Sequence, residues 1–317
     1  MRSLGERIMR IAVVGAGGTG GFFGGLLARA GMDVVFIARG PHLEAMRRRG
    51  LTLKSRLVGD ATQPVQATDD PRHIGPVDLI LFCVKTYDTA DAAAQIRPLI
   101  GADTVILPVQ NGVESAERIA QVVGSAPVIG GVAYVFSSIE APGVVSQTAG
   151  PGRLLFGEIS GGTSPRTERL LHTFSAAGIA AELRPDIRVA LWEKFVNICA
   201  ASGVTALTRL PIGPILACAE TSALFRGTME EVESVGRACG IDLPTGIVDQ
   251  LSAFFANLEP WARGSLAHDL AAGRRLELEA LNGAVVRLGR AHGIPTPMNF
   301  VIYAALKPYV NGAPTLP

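Results

Sequence analysis

The chain has 317 residues, with 29 Lys and Arg against 28 Asp and Glu, which gives a formal net charge of +1. Hydrophobic residues make up 48% of the sequence and charged residues 18%. This composition argues against a disordered chain or a coiled coil, and the length predicts two domains, each with its own core. A near-zero charge also argues against a nucleic-acid partner, which a basic excess would normally accompany.

The cysteines are few and widely spaced, at Cys83, Cys199, Cys218 and Cys239. They form neither a CxxC pair nor a cluster with histidine, so we predict no disulfide framework and no bound metal. The apolar runs are too short or too interrupted to supply the roughly 20 residues that cross a bilayer. We therefore expect a reduced, cytoplasmic protein with no membrane partner.

The first half of the sequence alternates short apolar runs with helical segments. We predict a helix over residues 18–30 and core strands over residues 10–14, 34–37, 79–84 and 104–107. Such alternation predicts a parallel sheet with helices on both faces. Strands that are apolar at every position suit a sheet that is buried on both faces. The expected fold class is α/β, with a Rossmann-type doubly wound sheet domain.

The next segment contains strand-like runs without long helices between them. We predict that residues 132–136, 144–147 and 154–156 extend the same sheet in antiparallel fashion, followed by a helix over 167–177 and a strand over 180–183. Helical periodicity dominates after Arg184-Pro185-Asp186. We therefore predict a Rossmann domain over residues 1–185 and an all-helical domain over residues 186–317.

The first strand runs into Gly15-Ala-Gly17-Gly18-Thr19-Gly20, which opens the first helix. This spacing is typical of a dinucleotide-binding turn. Gly15 allows the tight turn, Gly17 lets the backbone approach a pyrophosphate, and Gly20 lets the helix pack closely on the sheet. The N-terminus of the helix, at Gly18 and Thr19, offers N–H groups to the phosphates. A glycine-rich turn without a ligand is the alternative, but the strand before it and the helix after it favour a cofactor site.

The second strand ends at Ala38-Arg39, where an NAD site usually carries an acid that holds the ribose 2′-hydroxyl. Without that acid a 2′-phosphate is not repelled, and Arg39 could pair with it. Lys85, just past the strand over 79–84, could supply a second cation. Either residue could instead be an ordinary surface cation, but together they predict NADPH rather than NADH.

Four further side chains are candidates for chemistry. Asn111 follows the fourth strand, where its amide could orient a substrate, contact the cofactor or simply form an Asn-Gly turn. Lys194 lies among apolar residues near the predicted domain junction, where desolvation would lower its pKa from about 10.4 and make it a proton donor; a surface lysine is the alternative. Ser265 and Glu277 would lie roughly 18 Å apart on one continuous helix, so only a helix break between them could bring them to one small site, and a solvated glutamate is the alternative for Glu277.

These motifs, in this order, resemble the ketopantoate reductases (2-dehydropantoate 2-reductases). The resemblance covers the whole chain, to Ala291-His292-Gly293-Ile294-Pro295, and rests on GAGGTG, Arg39, Lys85, Asn111-Gly112, Leu191-Trp192-Glu193-Lys194, and Ser265 with Glu277. It implies a Rossmann NADPH domain joined to a helical domain, with the active site in the cleft between them.

The resemblance also implies roles for individual residues. Lys194 would donate a proton to the ketone oxygen, and Glu277 would orient that lysine or hold a substrate hydroxyl. Asn111 would position the substrate, and Ser265 would bind its carboxylate.

The sequence departs from the best-known members of that family at two positions. Those members carry substrate-holding asparagines four and eight residues after the lysine, whereas this chain has Ile198 and Ser202. Ser202 is retained as a substrate-binding candidate.

We expect NADPH-dependent reduction of ketopantoate to pantoate. The alternatives are a reductase of another 2-oxo acid or ketone, and a non-catalytic NADPH sensor. Apolar helical faces of the second domain could belong to its core or to a homodimer interface.

Overall fold

The computed structural model describes residues 8–314, and the chain folds into two compact units. The first unit runs to Gln110 and continues over Glu114–Ile187. The second contains Asn111–Val113 and the chain from Arg188 onward.

The first unit contains both strands and helices. Its strands are β1 (Arg10–Val14), β2 (Asp33–Ile37), β3 (Leu51–Ser55), β4 (Ala61–Gln63), β5 (Gln66–Thr68), β6 (Val77–Phe82), β7 (Ile100–Pro108), β8 (Gly130–Ala141), β9 (Val144–Gly157) and β10 (Ala180–Leu183). Its α-helices are α1 (Gly18–Arg29), α2 (Gly40–Arg49), α3 (Thr89–Gln95), α4 (Ser115–Val123) and α5 (Pro165–Ala176).

Five strands of this unit form a parallel sheet in the order β5-β2-β1-β6-β7. Strand β1 therefore lies between β2 and β6, with Val13 opposite Phe36 on one side and Leu81 on the other. The chain order reverses at β1, and open α/β sheets bind ligands at the carboxyl ends of the strands where this happens. The predicted α/β class with a Rossmann-type sheet is confirmed.

The segment that we expected to extend this sheet forms a separate sheet, so that prediction was wrong. Strands β8 and β9 pair antiparallel, and β9 also pairs in parallel with β3 and β10, while β4 joins β3. The reason lies in α1, which is buried between the two sheets. A Cβ atom on Gly24 would lie 2.6 Å from Phe36 of the first sheet, and one on Gly21 would lie 2.5 Å from Val145 of the second. The glycines of α1 thus admit a second layer that the strand pattern alone does not reveal.

The described residues of the second unit form helices joined by turns, with no strand among them, as predicted. Its helices are α6 (Ile187–Thr208), α7 (Ile212–Ala217), α8 (Ala219–Ala238), α9 (Ile247–Ala256), α10 (Ser265–Ala271), α11 (Asn282–His292) and α12 (Pro297–Leu306). The first of them is the longest, with 22 residues. Its inner face stays apolar along this length, and Val196, Ala200 and Val204 are all fully buried.

The tripeptide Asn111–Val113 belongs to the second unit, which the division of the sequence at residue 185 does not anticipate. Gly112 has a φ of +89°, and a Cβ atom there would lie 2.7 Å from the carbonyl oxygen of Ala280. Val113 packs against the core of the second unit. These close contacts build the tripeptide into the helical unit although it directly follows β7 and Gln110.

Two features are absent from residues 8–314. No helix there is both long enough and apolar enough to cross a bilayer. The same residues contain no group of three or more His, Cys, Asp or Glu side chains placed to hold a metal ion.

Candidate active site

The glycine turn after β1 depends on two glycines for its shape. Gly15 has a φ of +92°, a conformation that side chains rarely adopt, and its Cβ would lie 2.8 Å from the backbone nitrogen of Val84. A Cβ on Gly20 would lie 2.2 Å from the carbonyl oxygen of Gly15. The turn therefore holds the start of α1 tightly against the end of β1.

Space for a ligand lies beside Gly17, the N-cap residue of α1. A Cβ on Gly17 would meet nothing within 4 Å, no side chain caps the helix, and its first turn has no acid. Thr19 is partly exposed, whereas a Cβ on Gly18 would lie 2.0 Å from the carbonyl oxygen of Ser137. Gly18 is thus required for packing against β8, a role that the motif does not indicate. Uncapped N–H groups beside open space fit the pyrophosphate of a dinucleotide.

Charged side chains follow the two strands that flank β1. Arg39 is the N-cap residue of α2, with its side chain 81% exposed, and its Nη2 lies 3.1 Å from Oδ2 of Asp88. Lys85 is exposed and begins the short turn that ends at Asp88. Ala38, the first residue after β2, is buried and carries no polar group. The sequence analysis did not identify Asp88 as a residue near the cofactor site, because an acid in an exposed turn belongs to no recognised motif. The only signal in the sequence was its position three residues after Lys85.

The second unit brings three predicted catalytic residues together. The Nζ atom of Lys194 donates a hydrogen bond to Oδ1 of Asn111 over 3.0 Å. The Nδ2 atom of Asn111 lies 3.4 Å from the Oε2 atom of Glu277, to which it donates. One amide therefore bridges an ammonium group and a carboxylate, and we call these three residues the lysine cluster.

The environment of Lys194 changes its acidity. Burial lowers the pKa of Lys194 from 10.5 to about 8, because an ammonium group loses hydration there, and the negative charge of Glu277 partly offsets this effect. Trp192 and Phe195, on the same helix as Lys194, belong to the buried core of the second unit, with their rings 5.3 Å apart in an edge-to-face arrangement. At neutral pH the lysine is mostly protonated, but it gives up its proton more readily than a lysine in water.

A helix break carries Glu277 to the lysine cluster. Helix α10 ends at Ala271, and Gly273 adopts a φ of +62°. Arg274 then donates from its backbone nitrogen to the carbonyl oxygen of Asp269 and from Nε to its carboxylate, both over 2.8 Å. Glu277 lies past this turn and is only 5% exposed. The 18 Å spacing of one continuous helix therefore does not apply.

The two predicted substrate-binding serines form a second cluster. The Oγ atoms of Ser202 and Ser265 lie 3.4 Å apart, and Ser202 is fully buried. A Cβ on Gly264 would lie 2.3 Å from the Cα of Ser202, so the start of α10 packs directly on α6. Ser202 follows Lys194 by eight residues, roughly 12 Å along the helix. Ile198, between them, packs against the apolar core.

A Rossmann sheet with an open glycine turn and a helical unit with a partly buried lysine, amide and carboxylate together define a dinucleotide-dependent oxidoreductase. Residues 11–161 match the family described as "Ketopantoate reductase PanE/ApbA", and residues 186–310 match the C-terminal part of the same family. The chain belongs to the ketopantoate reductase family.

Known members resemble the chain over nearly its full length. It is 32% identical to the 2-dehydropantoate 2-reductase of Mesorhizobium japonicum, with 94% of this chain and 97% of that protein covered. The crystal structure of a PanE/ApbA family ketopantoate reductase from Ralstonia eutropha has a TM-score of 0.88 and 36% identity, over 95% of this chain and 98% of that one. The 2-dehydropantoate 2-reductase structure from Geobacter metallireducens has a TM-score of 0.88 and 35% identity, over 94% and 99%.

Proposed function

We propose that this protein reduces 2-dehydropantoate (ketopantoate) to pantoate with NADPH. The observation that carries the proposal is the lysine cluster, in which Lys194, with its lowered pKa, is hydrogen-bonded to Asn111. The names of the relatives, which the chain matches over more than nine-tenths of its length, support the choice of substrate.

Residues of the first unit would hold the cofactor. The backbone N–H groups at Gly17, Gly18 and Thr19 would bind the pyrophosphate, and Arg39 and Lys85 would bind the 2′-phosphate. When bound, the reduced nicotinamide supplies a hydride for the C2 carbonyl carbon of the substrate.

Lys194 would supply the proton that completes the reduction. As the carbonyl carbon gains a hydride, negative charge develops on the oxygen, and the ammonium group stabilises that charge before it donates its proton. The product then carries a hydroxyl group at C2, and Lys194 is left as a neutral amine that regains a proton from solvent. A pKa of about 8 suits this cycle, because both forms of the lysine are accessible near neutral pH.

The other members of the cluster would keep the lysine in place. Asn111 accepts from Nζ through Oδ1, and its own Nδ2 donates to Glu277, which fixes the direction of the amide. The carboxylate of Glu277 also favours the protonated lysine. Ser265, which is partly exposed, would bind the substrate carboxylate through its hydroxyl group, and the buried Ser202 would support it through the contact between their Oγ atoms.

The test is a steady-state assay that follows NADPH oxidation with ketopantoate in the wild type and in Lys194→Ala. We expect kcat to fall by about 10²–10⁴, the usual contribution of a positioned general acid. Lys307→Ala is the matched control, since this lysine is exposed, pairs with Glu279 and lies outside the cluster. Unchanged turnover in Lys194→Ala would contradict the proposed role.

A second candidate function is the reduction of another 2-oxo acid or ketone. Two observations favour it: neither Ile198 nor Ser202 has the amide side chain that the best-known members carry at these positions, and both pack into the interior of the second unit. Comparing kcat/KM across a panel of 2-oxo acids decides between the two, and a much higher value for another acid would replace ketopantoate. NADPH binding without turnover of any carbonyl compound would instead indicate a sensor.

A further inference from the structure

The ion pair between Arg39 and Asp88 joins the two strands that flank the glycine turn. Arg39 follows β2 and Asp88 lies in the turn after β6, and β1 separates these strands in the sheet. The Nη2 atom of Arg39 lies 3.1 Å from the Oδ2 atom of Asp88, whose side chain is 29% exposed. The cation predicted to hold a 2′-phosphate is therefore already bound to a carboxylate.

A 2′-phosphate at Arg39 would meet that carboxylate. A phosphate bound by this guanidinium would lie close to the carboxylate that Nη2 already contacts, and like charges that are close repel one another. Arg39 would have to leave Asp88, or the phosphate would have to bind beside a negative charge. Either way, Asp88 weakens the binding of a cofactor that carries the phosphate.

A ribose 2′-hydroxyl at the same place would be attracted to the Asp88 carboxylate, because it can donate a hydrogen bond to it. In NAD sites an acid at the end of the second strand accepts a hydrogen bond from the ribose 2′-hydroxyl. Here Ala38 and Arg39 follow directly after β2, and Asp88 brings a carboxylate to the guanidinium of Arg39 from the turn after β6. A cofactor without the phosphate thus gains an acceptor that the end of β2 does not provide.

We propose that Asp88 determines cofactor specificity: its carboxylate reduces the preference for NADPH that Arg39 and Lys85 confer and lets the protein use NADH as well. This inference rests on the proposed function in one respect, the binding of a nicotinamide dinucleotide at the glycine turn.

The experiment measures the dissociation constants of NADP⁺ and NAD⁺ by isothermal titration calorimetry for the wild type, Asp88→Asn and Asp91→Asn. Asp91 is the matched control, because it is an exposed acid three residues further on, in the first turn of α3. In Asp88→Asn we expect the ratio of the NAD⁺ to the NADP⁺ dissociation constant to rise by about 3- to 10-fold, the range for charges near a solvated surface. In Asp91→Asn the ratio should stay at the wild-type value.

A double-mutant cycle with Arg39→Ala tests whether Asp88 acts through the arginine. The gain in NADP⁺ affinity from Asp88→Asn should be smaller in the Arg39→Ala background, because there is no guanidinium left to release. A purely structural role of Asp88 would change both dissociation constants by the same factor and leave their ratio unchanged.

The outcomes separate this inference from the proposed reaction. An unchanged ratio in Asp88→Asn would overturn the inference and leave the reductase proposal standing. A raised ratio in a protein that does not reduce ketopantoate would support the inference and count against the proposed substrate. A wild type that binds neither dinucleotide would overturn both.

Discussion

Two opposing effects set the charge of Lys194. Burial favours the neutral amine and lowers the pKa to about 8, while the charge of Glu277 favours the ammonium form. Asn111 connects these two groups through hydrogen bonds of 3.0 and 3.4 Å. The acidity of the lysine can therefore be changed by substituting the carboxylate, without altering the lysine itself.

This balance predicts the pH dependence of the reaction. Lys194 donates a proton only in its ammonium form, so kcat/KM should fall as the pH rises through about 8. In Glu277→Gln the ammonium form loses a stabilising charge, its pKa falls further, and the alkaline decline should begin at a lower pH. Profiles of kcat/KM between about pH 6 and 10 measure the shift.

Glu279→Gln is the control for the pH profile, since Glu279 is half-exposed and pairs with Lys307. Its alkaline decline should match that of the wild type. A decline in Glu277→Gln that stays in place or moves to higher pH would show that Glu277 does not set the acidity of Lys194.

At the scale of single elements, the sequence predicts the parallel sheet well and the second sheet poorly. Strands β1, β2, β6 and β7 bury apolar side chains on both faces, and such runs are easily found. Strand β3 alternates buried and exposed residues, and β4 has three residues, none of them buried. Strand β9 continues through Gly150 and Gly152, which the sequence suggests as breaks. Tertiary pairing, and not local pattern, makes these segments strands.

The glycines of the turn and of α1 differ in function, and two substitutions separate their roles. Gly20→Ala places a Cβ 2.2 Å from the carbonyl oxygen of Gly15, so it should destabilise the protein by about 1–3 kcal/mol. Gly17→Ala meets no atom within 4 Å, and its φ of −72° suits alanine, so stability should change little. The methyl group would, however, occupy the space beside the uncapped helix, and we expect NADP⁺ affinity to fall.

Thermal unfolding measures the predicted loss of stability in Gly20→Ala, and NADP⁺ titration measures the predicted loss of affinity in Gly17→Ala; both measurements are made on both variants. A loss of about 1 kcal/mol lowers Tm by about 2–4 °C in a domain of this size. Wild-type affinity in a stable Gly17→Ala variant would refute the proposed place of the pyrophosphate.

At the scale of the whole molecule, the order of the two domains could be predicted, but the position of Asn111 could not. The change from strand to helical periodicity near residue 185 indicates a boundary in the sequence. No periodicity indicates that three residues after β7 belong to the second unit, because Gly112 and Val113 are held there by packing alone. The proximity of Glu277 to Lys194, which Asn111 bridges, likewise depends on the helix break at Gly273 and could not be predicted from periodicity. The homodimer and the cytoplasmic location stay predictions.

Gly112→Ala tests how Asn111 is held in the cluster. The substitution adds strain at a φ of +89° and places a Cβ 2.7 Å from the carbonyl oxygen of Ala280. We expect lower stability and a lower kcat, since Asn111 is displaced from Lys194. Gly124→Ala is the matched control, with a φ of +88° and no atom within 4 Å of the added Cβ.

The control isolates the effect of backbone strain, since Gly124 has a ψ of 159° and such a conformation costs a residue with a side chain about 1–3 kcal/mol. In denaturant titrations Gly124→Ala should lose that amount of stability and Gly112→Ala more, because of the contact with Ala280, but only Gly112→Ala should lose turnover. Equal turnover in the two variants would show that the contact with Ala280 does not position Asn111.

The assignment of Asn111–Val113 to the second unit has a consequence for how such genes can recombine. A hybrid gene that joins two relatives near residue 187 would combine the asparagine of one parent with the lysine and glutamate of the other. The three residues of the lysine cluster would then come from two parent proteins in which they had not evolved together. We therefore expect working hybrids to keep all three residues from one parent, which places the favoured crossover upstream of residue 111.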